Sequence, residues 1–360
     1  MLSTTIIIAF GLSCLINTIY WTILCVSLNR IEEPKLDVTE GSYITILVCS
    51  KNDSNNVKTL LKYLNQQIKV TTSVKVLIVN DFSDAYHSEE LKKLNCRFPI
   101  TLIHPKENLQ GKKAALLSGL KSIKEGIILL TDADCRPRPE WISTLSSQVQ
   151  LQGAVLGYSP FARQSSLVNI WVRYEGYITA LQYLGWAALN KPYLGVGRSI
   201  GLQSQAITQL SIEDLKPTIA SGDDDMLIQY LQSAVPSVYP AAYVDTDSPA
   251  TWKAYWTQKR RHYSISPSYP LKLKIRLSIF SFSQILIFVL GIVSVIMKLS
   301  LVPLTVWCIR MIWIALVSRR TFVQLEQKDL WFLLPILDGL LSIYYLVFGL
   351  TFLLPKPKSW

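Results

Sequence analysis

The sequence predicts an α/β domain with apolar, membrane-crossing helices before and after it. Three observations support this. The middle of the chain alternates apolar runs rich in β-branched residues with segments of helical periodicity. Half of the 360 residues are hydrophobic, and the excess is concentrated near the two ends. Acidic residues directly follow several of the apolar runs in the middle.

The N-terminal segment, residues 4–28, contains no charged side chain and is long enough to cross a bilayer. No A-x-A-like cleavage site follows it, so we expect an uncleaved anchor over residues 1–28. Arg30 and Lys35 come next, and basic residues favour the cytosolic side of a membrane. The sequence therefore predicts that the middle domain lies in the cytosol.

Three more apolar segments near the other end predict further spans. They are residues 279–297, 301–318 and 330–354, within a membrane region of 279–355. Arg319, Arg320 and Lys328 lie between the last two spans and predict a cytosolic loop, in agreement with the first helix. Lys356 and Lys358 would then lie outside the cytosol, against the preference of basic residues for the cytosolic side. The 279–297 and 301–318 segments could instead form a re-entrant hairpin, because their connection is short.

Two features of this region are predicted to matter for packing. Residues 266–278 alternate apolar and basic side chains, which fits either an amphipathic segment on the membrane surface or a plain linker. Arg310 and Asp338 lie about halfway along spans that should be antiparallel. We expect them to pair, because an unpaired charge in a membrane is costly. The alternative is a polar wall for the headgroup of an acceptor.

The middle domain predicts a sheet with crossover helices. The predicted strands are residues 44–49, 74–79, 100–103 and 126–130, and the predicted helices are 57–67, 87–94 and 112–124. Strands that alternate with helices favour parallel pairing. Ligands of such sheets bind at the carboxyl ends of the strands.

Carboxylates stand at those strand ends. Asp53 follows the first strand, Asp81 the second, and Asp132 and Asp134 the fourth. Packed together, these groups would repel one another unless a cation or hydrogen-bond donors shared the site. Carboxylate oxygens suit Mg²⁺ or Mn²⁺, which commonly bind substrate phosphates as well. A lone D-x-D is weak evidence, but its place in this series favours a metal site.

The net charge and the cysteine spacing bear on other classes of partner and site. The formal charge of +11 fits a membrane surface or an anionic phosphate substrate. No basic run with interleaved aromatic residues is present, so we expect no nucleic-acid partner. The six cysteines form no C-x-x-C pair, which argues against a zinc site or a disulfide framework.

Seven motifs, in order between residues 42 and 265, resemble those of family 2 glycosyltransferases, whose catalytic domain has the GT-A fold, a Rossmann-like α/β fold with a mixed sheet. They read ITILVCSKND, KVLIVNDFSD, LQGKKAALLSGL, LLTDADCRP, GVGRSIG, GDDDMLIQYL and QKRRH. Three positions depart from the family pattern. Asn80 replaces the first Asp of D-D-x-S, Asp223 replaces the Glu of E-D-x-x-L, and His262 replaces the Trp of Q-x-x-R-W.

The resemblance implies a divalent-metal-dependent hexosyltransferase (EC 2.4) that inverts the sugar of a nucleotide-diphosphate donor, commonly a UDP-sugar. It implies roles for nine side chains. Asp53, Asp81, Lys112 and Asp132 would bind the nucleotide; Asp132 and Asp134 would bind Mg²⁺ or Mn²⁺; Asp224 would be the catalytic base; Gln258, Arg261 and His262 would lie at the diphosphate or acceptor. The acceptor would be a lipid-linked or membrane-proximal glycan, in cell-envelope polysaccharide or glycolipid synthesis. The implied location is the cell membrane, with several spans and a cytosolic catalytic domain.

Several alternatives stay open. Asp223 or Asp225 could act as nucleophile in a retaining reaction, or merely cap the following helix. His262 could join the metal shell, touch the acceptor or fill the space of the missing tryptophan. Residues 168–192, rich in Trp and Tyr, could shape the acceptor side. A processive polysaccharide synthase is the second enzymatic reading, weakened by the missing tryptophan. A non-catalytic membrane scaffold is the alternative from another class.

Overall fold

The computed structural model describes residues 2–32, 43–105, 111–219 and 221–351. These residues form two compact units. The helical unit contains residues 2–30, 163–185 and 249–351, and the sheet unit contains the other described residues, up to 248. Lys35, Lys356 and Lys358, the Leu109-Gln110 pair of one motif and residues 352–354 of the last predicted span lie outside the described residues.

The elements are numbered along the chain. The strands are β1 Ile44–Ser50, β2 Val74–Asn80, β3 Ile100–Ile103, β4 Ile127–Leu130, β5 Arg136–Pro137, β6 Ala154–Leu156, β7 Ile200–Gln203, β8 Val235–Pro236 and β9 Val244–Asp245. The helices are α1 Leu2–Asn29, α2 Ser54–Asn65, α3 Ala85–Lys92, α4 Lys112–Ser122, α5 Trp141–Gln152, α6 Leu167–Ala188, α7 Asp223–Leu231, α8 Trp252–Tyr263, α9 Leu271–Ile296, α10 Val302–Gln324, α11 Lys328–Trp331 and α12 Leu334–Leu350.

The main sheet has seven strands in the order β3-β2-β1-β4-β7-β6-β8. The first four are parallel, as the alternation of strands and helices predicts. Strand β7 pairs antiparallel with both β4 and β6, which makes the sheet mixed. A second, two-stranded sheet joins β5 to β9. All four predicted strands are confirmed to within a residue or so at each end.

The core of the sheet unit forms because the parallel strands are apolar on both faces. Ile46, Val48, Ile78 and Leu129 are fully buried in it. Helix α2 adds an apolar stripe that includes Leu60. The three helices predicted in this part correspond to α2, α3 and α4, displaced by two or three residues at most ends. This rigid layer holds the carboxyl ends of β1, β2 and β4 side by side.

The helical unit contains three helices that are long and apolar enough to cross a membrane: α1, α9 and α10. The predicted fourth span differs. Its described part is divided between α11 and the 17-residue α12, and Pro335 in the first turn of α12 marks the break. Seventeen residues extend about 25 Å, less than the roughly 30 Å of a bilayer core. In the predicted linker 266–278, residues 266–270 precede α9 and residues 271–278 form its first turns.

A polar network lies between four helices of this unit. Arg310 donates two hydrogen bonds to the carboxylate of Asp338, at 2.8 and 3.0 Å. It also donates to Asn17 at 2.7 Å and to Gln284 at 3.1 Å. Gln284 in turn donates to the backbone oxygen of Asp338 at 2.9 Å. All four residues are at most 2% exposed. The predicted pair is confirmed, and it joins α1, α9, α10 and α12.

Helix α6 packs among the same helices. Tyr177 stacks on Phe322 of α10 with ring centroids 3.9 Å apart. Gly185 approaches Leu24 of α1 so closely that a Cβ atom would lie 2.9 Å from that side chain. Aromatic and small residues thus bury much of α6, which overlaps most of the predicted acceptor segment 168–192, within the helical unit.

Candidate functional site

The predicted convergence of strand ends is present in the sheet unit. Strands β1, β2 and β4 are parallel and in register, so the residues that follow them lie at one edge. Asp53 lies at the N-cap position of α2, and the direction of its pKa shift reflects its closeness to a neighbouring strand end. Burial and the nearby Asp134 both raise the pKa of Asp53 above its ordinary value. A residue after β1 therefore interacts with one that follows β4.

Asp81 is fully buried immediately after β2. Its backbone N–H donates to the Ser50 oxygen at 2.8 Å, which continues the pairing of β1 and β2 by one residue. Its Oδ1 accepts a hydrogen bond from the Gly111 N–H at 3.0 Å, and Lys51 Nζ lies 3.5 Å from Oδ2. Gly111 has φ of 98°, a conformation that favours glycine. Asp81 therefore joins the first two strands to the start of α4.

The turn after β2 is built by amide and hydroxyl groups. Asn80 accepts from the Ser83 N–H at 3.0 Å and donates to Ser88 Oγ at 3.1 Å. An ionised aspartate could not make that second bond, because it has no donor. Asp84 caps α3 by accepting from the His87 N–H at 2.9 Å. Asn80, the departure from the family pattern, thus shapes the turn.

The D-x-D segment brings three metal-ligating groups together. The ligand atoms of Asp132, Asp134 and Cys135 lie within 4.8 Å of one another. Asp134 is exposed, Asp132 is partly exposed and Cys135 is buried. Two carboxylates with open access suit Mg²⁺ or Mn²⁺, which usually keep places for substrate phosphate oxygens. The donor set therefore fits the predicted metal, held by Asp132 and Asp134.

Lys112 occupies the centre of the acidic cluster. Its Nζ lies 3.1 Å from Asp132 Oδ1 and 3.2 Å from Asp223 Oδ2. Burial alone would lower its pKa, but Asp132, Asp223 and Asp224 together raise it well above the ordinary value. Lys112 is thus a fixed cation that links the D-x-D segment to α7. The sequence predicted it beside the nucleotide but gave no sign of the contact with Asp223.

Adjacent carboxylates at the start of α7 have opposite pKa shifts. Burial and the charge of Asp223 raise the pKa of Asp224 well above its ordinary value. For Asp223, burial acts upward, but the charge of Lys112 and the hydrogen bonds that the carboxylate accepts together outweigh burial, so the pKa of Asp223 is lowered. Two neighbouring acids whose environments separate their pKa values are typical of acid–base sites. Asp223 is held as an anion by the lysine, and Asp224 is the one suited to exchange a proton.

Gly197 fixes Asp224 in place. Its N–H donates to Asp224 Oδ2 at 2.7 Å. A Cβ atom at residue 197 would lie 2.5 Å from Asp224 Oδ1, so no larger residue fits without displacing the carboxylate. The glycine of GVGRSIG is therefore required by contact with the predicted base. The motif was visible in the sequence, but this contact between distant segments was not.

Two further side chains of the cluster were missed. Arg198 places its guanidinium 4.9 Å from the centroid of the Phe161 ring. Burial raises the pKa of Cys135 well above its ordinary value, and the charge of Arg198 acts weakly in the opposite direction. Cys49, near the end of β1, interacts electrostatically with Lys112. The only sequence signal for a role of Arg198 is its place in the glycine-rich motif. Cys49 lies among apolar strand residues, and the sequence gives no signal of a role for it.

The remaining predicted site residues lie in the helical unit. Gln258, Arg261 and His262 are on α8, spaced three and four apart and so on one side of the helix. Gln258 and Arg261 are partly buried and His262 is exposed. The structure thus groups six of the nine predicted residues in the sheet unit and the other three on one helix of the helical unit.

Comparison with known proteins identifies the family of this site. Residues 45–206 match the profile of the family described as Glycosyl transferase family 2. No curated protein sequence matches the chain. Residues 45–206 are therefore a family 2 glycosyltransferase domain, and the resemblance is confirmed for the first five motifs. GDDDMLIQYL and QKRRH lie beyond the matched residues.

The chain is also similar to several solved structures. A mannosyltransferase from Pyrobaculum calidifontis, solved in complex with GDP-Man and Mn²⁺, is 14% identical with a TM-score of 0.60, over 99% of this chain and 100% of its own. The S. aureus TarS 1-349 structure is 13% identical with a TM-score of 0.42, over 86% and 91%. Glucosyl-3-phosphoglycerate synthase from Mycobacterium tuberculosis, solved with Mn²⁺ and UDP-Glc, is 13% identical with a TM-score of 0.39, over 63% and 83%. The likeness to the first structure agrees with a GT-A fold for the mixed α/β sheet of this chain.

Proposed function

On the premise that residues 45–206 are a family 2 glycosyltransferase domain, we propose that the protein transfers a sugar, with inversion, from a nucleotide-diphosphate donor to a hydroxyl group of a lipid-linked or membrane-proximal acceptor. The observation that carries this is the Asp223–Asp224 pair. One acid is held ionised by Lys112, and the other has a raised pKa and a fixed orientation. The D-x-D carboxylates belong to the same electrostatic cluster through Lys112.

Donor binding follows from the strand-end residues. Asp53 and Asp81 would bind the nucleoside, and Asp132 would face the ribose and share the metal with Asp134. The ion would supply positive charge for the diphosphate as its bond to the anomeric carbon breaks. Lys112 adds a second fixed cation nearby. Gln258, Arg261 and His262 would contact the diphosphate or the acceptor, as the family resemblance implies.

Asp224 would act as general base. The acceptor hydroxyl is a weak nucleophile until a carboxylate takes its proton, which contributes a factor of about 10² to 10⁴. Asp223 is unsuited to the role of second nucleophile because Lys112 lies on its Oδ2. A single base favours direct displacement and therefore inversion. A retaining double displacement would require a second, free carboxylate.

The membrane helices support an acceptor at the bilayer. Helices α1, α9 and α10 can each cross a membrane, and the basic residues beside them favour a cytosolic catalytic domain at the cell membrane. A sugar added to a lipid-linked acceptor in cell-envelope or glycolipid synthesis fits this placement. UDP-sugars are expected donors from the resemblance, and GDP-mannose is added because the Pyrobaculum mannosyltransferase was solved with it.

The experiment that tests this proposal incubates membranes that contain the full chain with a panel of nucleotide-sugar donors. Release of nucleoside diphosphate would be measured for UDP-sugars and GDP-mannose, with Mn²⁺, with Mg²⁺ and with chelator. Asp134→Ala and Asp224→Asn would be compared with Asp214→Asn, which removes an exposed carboxylate of the same unit. We expect metal-dependent release from one donor, lost in the first two variants and kept in the third. Release that survives Asp224→Asn would contradict the assignment of the base, and long products would favour a processive synthase.

A further inference from the structure

A cavity of about 530 Å³ is lined entirely by residues of the helical unit, from the start of α6 and from the connection between α10 and α12. Its charged lining residues are Arg163, Arg173 and Asp329. Most of its other lining residues are apolar and include Leu167 and Phe332. Neither the chemistry proposed above nor the network of Arg310 involves this cavity.

Two arginines share one carboxylate in the cavity. Arg173, whose side chain is only 3% exposed, donates two hydrogen bonds to Asp329, at 2.9 and 2.6 Å. Arg163 Nε lies 3.7 Å from Asp329 Oδ2, which is too far for a hydrogen bond. Burial alone would raise the pKa of Asp329, but Arg173 and, more weakly, a backbone hydrogen bond and Arg163 lower it, so the carboxylate stays ionised. Two arginines and one aspartate leave one surplus positive charge on the lining.

Arg163 is the cation of this cavity that a ligand can reach. Its side chain is 74% exposed, whereas that of Arg173 is buried against the carboxylate. Because Asp329 already accepts two hydrogen bonds from Arg173, it compensates the charge of Arg163 only from a distance. A guanidinium presents a planar set of donors that matches the oxygens of a phosphate group. The surplus charge therefore favours a ligand with an anionic phosphate.

The cavity lies where a predicted span ends. Helix α10 has 23 residues and extends about 34 Å, slightly more than the roughly 30 Å of a bilayer core. The residues that follow α10 are therefore expected at the membrane surface. Leu167 and Phe332 are 77% and 78% exposed. Such large apolar side chains are unfavourable in water, but at the boundary of a bilayer the acyl chains of lipids can cover them.

We propose that this cavity binds an anionic phospholipid of the bilayer, with the headgroup phosphate at Arg163 and the acyl chains along Leu167 and Phe332. One surplus positive charge matches a lipid with one net negative charge, such as phosphatidylglycerol. A zwitterionic lipid carries its own cation and would leave the surplus uncompensated. A free phosphate ion would pair with the arginine but would leave the apolar side chains in water. This site is for lipid of the surrounding bilayer rather than for the acceptor, and it does not depend on the sugar transfer proposed above.

The test measures lipid binding to the purified full chain by native mass spectrometry, in detergent titrated with dioleoylphosphatidylglycerol or dioleoylphosphatidylcholine. We expect Arg163→Gln to weaken the tightest phosphatidylglycerol site by about fivefold, the effect of one basic residue at a membrane surface, and to leave phosphatidylcholine binding unchanged. Arg320→Gln is the matched control, because it removes an exposed arginine near the end of α10 that does not line the cavity. It should leave the tightest site unchanged.

A second variant tests the apolar part of the cavity. Phe332→Ser leaves both arginines and Asp329 in place and should weaken phosphatidylglycerol binding by roughly threefold. It also keeps the test decisive if Arg163→Gln lowers the unfolding temperature. An inactive chain with Asp224→Asn should bind phosphatidylglycerol as the wild type does, so a failure of the proposed sugar transfer would leave this result intact.

Three results would overturn the site. Equal losses in Arg163→Gln and Arg320→Gln would mean that the lipid responds only to the general positive charge of this surface. Equal affinities of the wild-type chain for phosphatidylglycerol and phosphatidylcholine would mean that the headgroup charge is not recognised. Displacement of phosphatidylglycerol by an excess of inorganic phosphate would assign the cavity to a soluble anion instead of a lipid.

Discussion

Two clusters of buried charge differ in how completely they are neutralised. In the helical unit, Arg310 and Asp338 match one to one, and Asn17 and Gln284 complete the shell with neutral oxygens. In the sheet unit, five carboxylates outnumber two lysines. Asp132, Asp223 and Asp224 interact with Lys112. Asp223 and Asp225 interact with Lys113, and Asp134 lies beside Asp132.

The difference in charge balance separates a cluster that stabilises the fold from a cluster suited to binding and catalysis. The network around Arg310 is balanced in charge, although Arg310 Nε is buried without a hydrogen-bond partner among the described residues. An acidic cluster with surplus charge and exposed members such as Asp134 remains able to bind a cation and to exchange protons. If this comparison is correct, substitutions in the two clusters should affect different observables. Those in the first should change stability, and those in the second should change catalysis.

The largest effect is expected at the predicted base. Asp224→Asn keeps the shape and the acceptor oxygen for the Gly197 N–H but cannot take a proton. We expect turnover to fall by about 10²- to 10⁴-fold, with metal-dependent nucleotide binding unchanged. Steady-state release of nucleoside diphosphate and direct binding would be measured on the same preparation. Normal turnover in this variant would assign the base to another residue.

The intramembrane pair should affect stability instead. Arg310→Met leaves Asp338 buried without its cation, which should cost about 3–5 kcal/mol in the free energy of unfolding. Replacing both, as Arg310→Met with Asp338→Leu, should be far milder because no lone charge remains. Unfolding in detergent would be followed for the two variants and the wild type. A double variant as unstable as the single one would show that the network matters through more than charge balance.

A smaller effect is expected at Gly197. In Gly197→Ala the new methyl group would displace Asp224, whose Oδ1 lies 2.5 Å from the site of a Cβ. We expect turnover to fall by roughly 10- to 100-fold, with the unfolding temperature little changed. Gly339→Ala is a suitable control, since nothing lies within 4 Å of a Cβ there. Equal activities of the two variants would mean that the position of Asp224 is not critical.

The smallest effect is a shift in pH dependence. Because the pKa of Asp224 is raised, the base form accumulates only at higher pH, and turnover should rise with pH above the usual carboxyl range. Asp223→Asn removes a negative charge that raises this pKa and frees Lys112, which lowers it. The acid limb of the pH–rate profile should therefore move to lower pH. A limb that stays in place or moves upward would contradict the assignment of Asp224.

The sequence predicted much of the parallel half of the sheet and little of the antiparallel half. Strands β1 to β4 are apolar runs bounded by polar residues, a local pattern. Strands β6 and β8 have three and two residues, too few for any periodicity. The C-terminal spans were predicted from hydropathy, which depends on composition alone. Hydropathy therefore did not indicate the helix break at Pro335. The apolar–basic alternation before residue 279 suggested a surface segment, but those residues continue a helix.

For the site, chain position predicted the strand-end acids because parallel strands must bring them together. Contacts between distant segments were not predictable in this way. Nothing local to Lys112 indicates that it bridges Asp132 and Asp223, or that Gly197 would hold Asp224. The Arg310–Asp338 pair is the exception. Both charges stand out in apolar segments, and the cost of leaving either alone in a membrane suggested the partner.

The polar network of Arg310 also bears on biosynthesis. Asn17 and Arg310 are 293 residues apart, and Asp338 follows another 28 residues later. During translation Asn17 enters the membrane first, and Arg310 must be accommodated before the helix that neutralises it has emerged. Until Asp338 is made, Arg310 has only the neutral oxygens of Asn17 and Gln284 as partners in this network. Charge balance is therefore reached only when the last of the four helices has been synthesised.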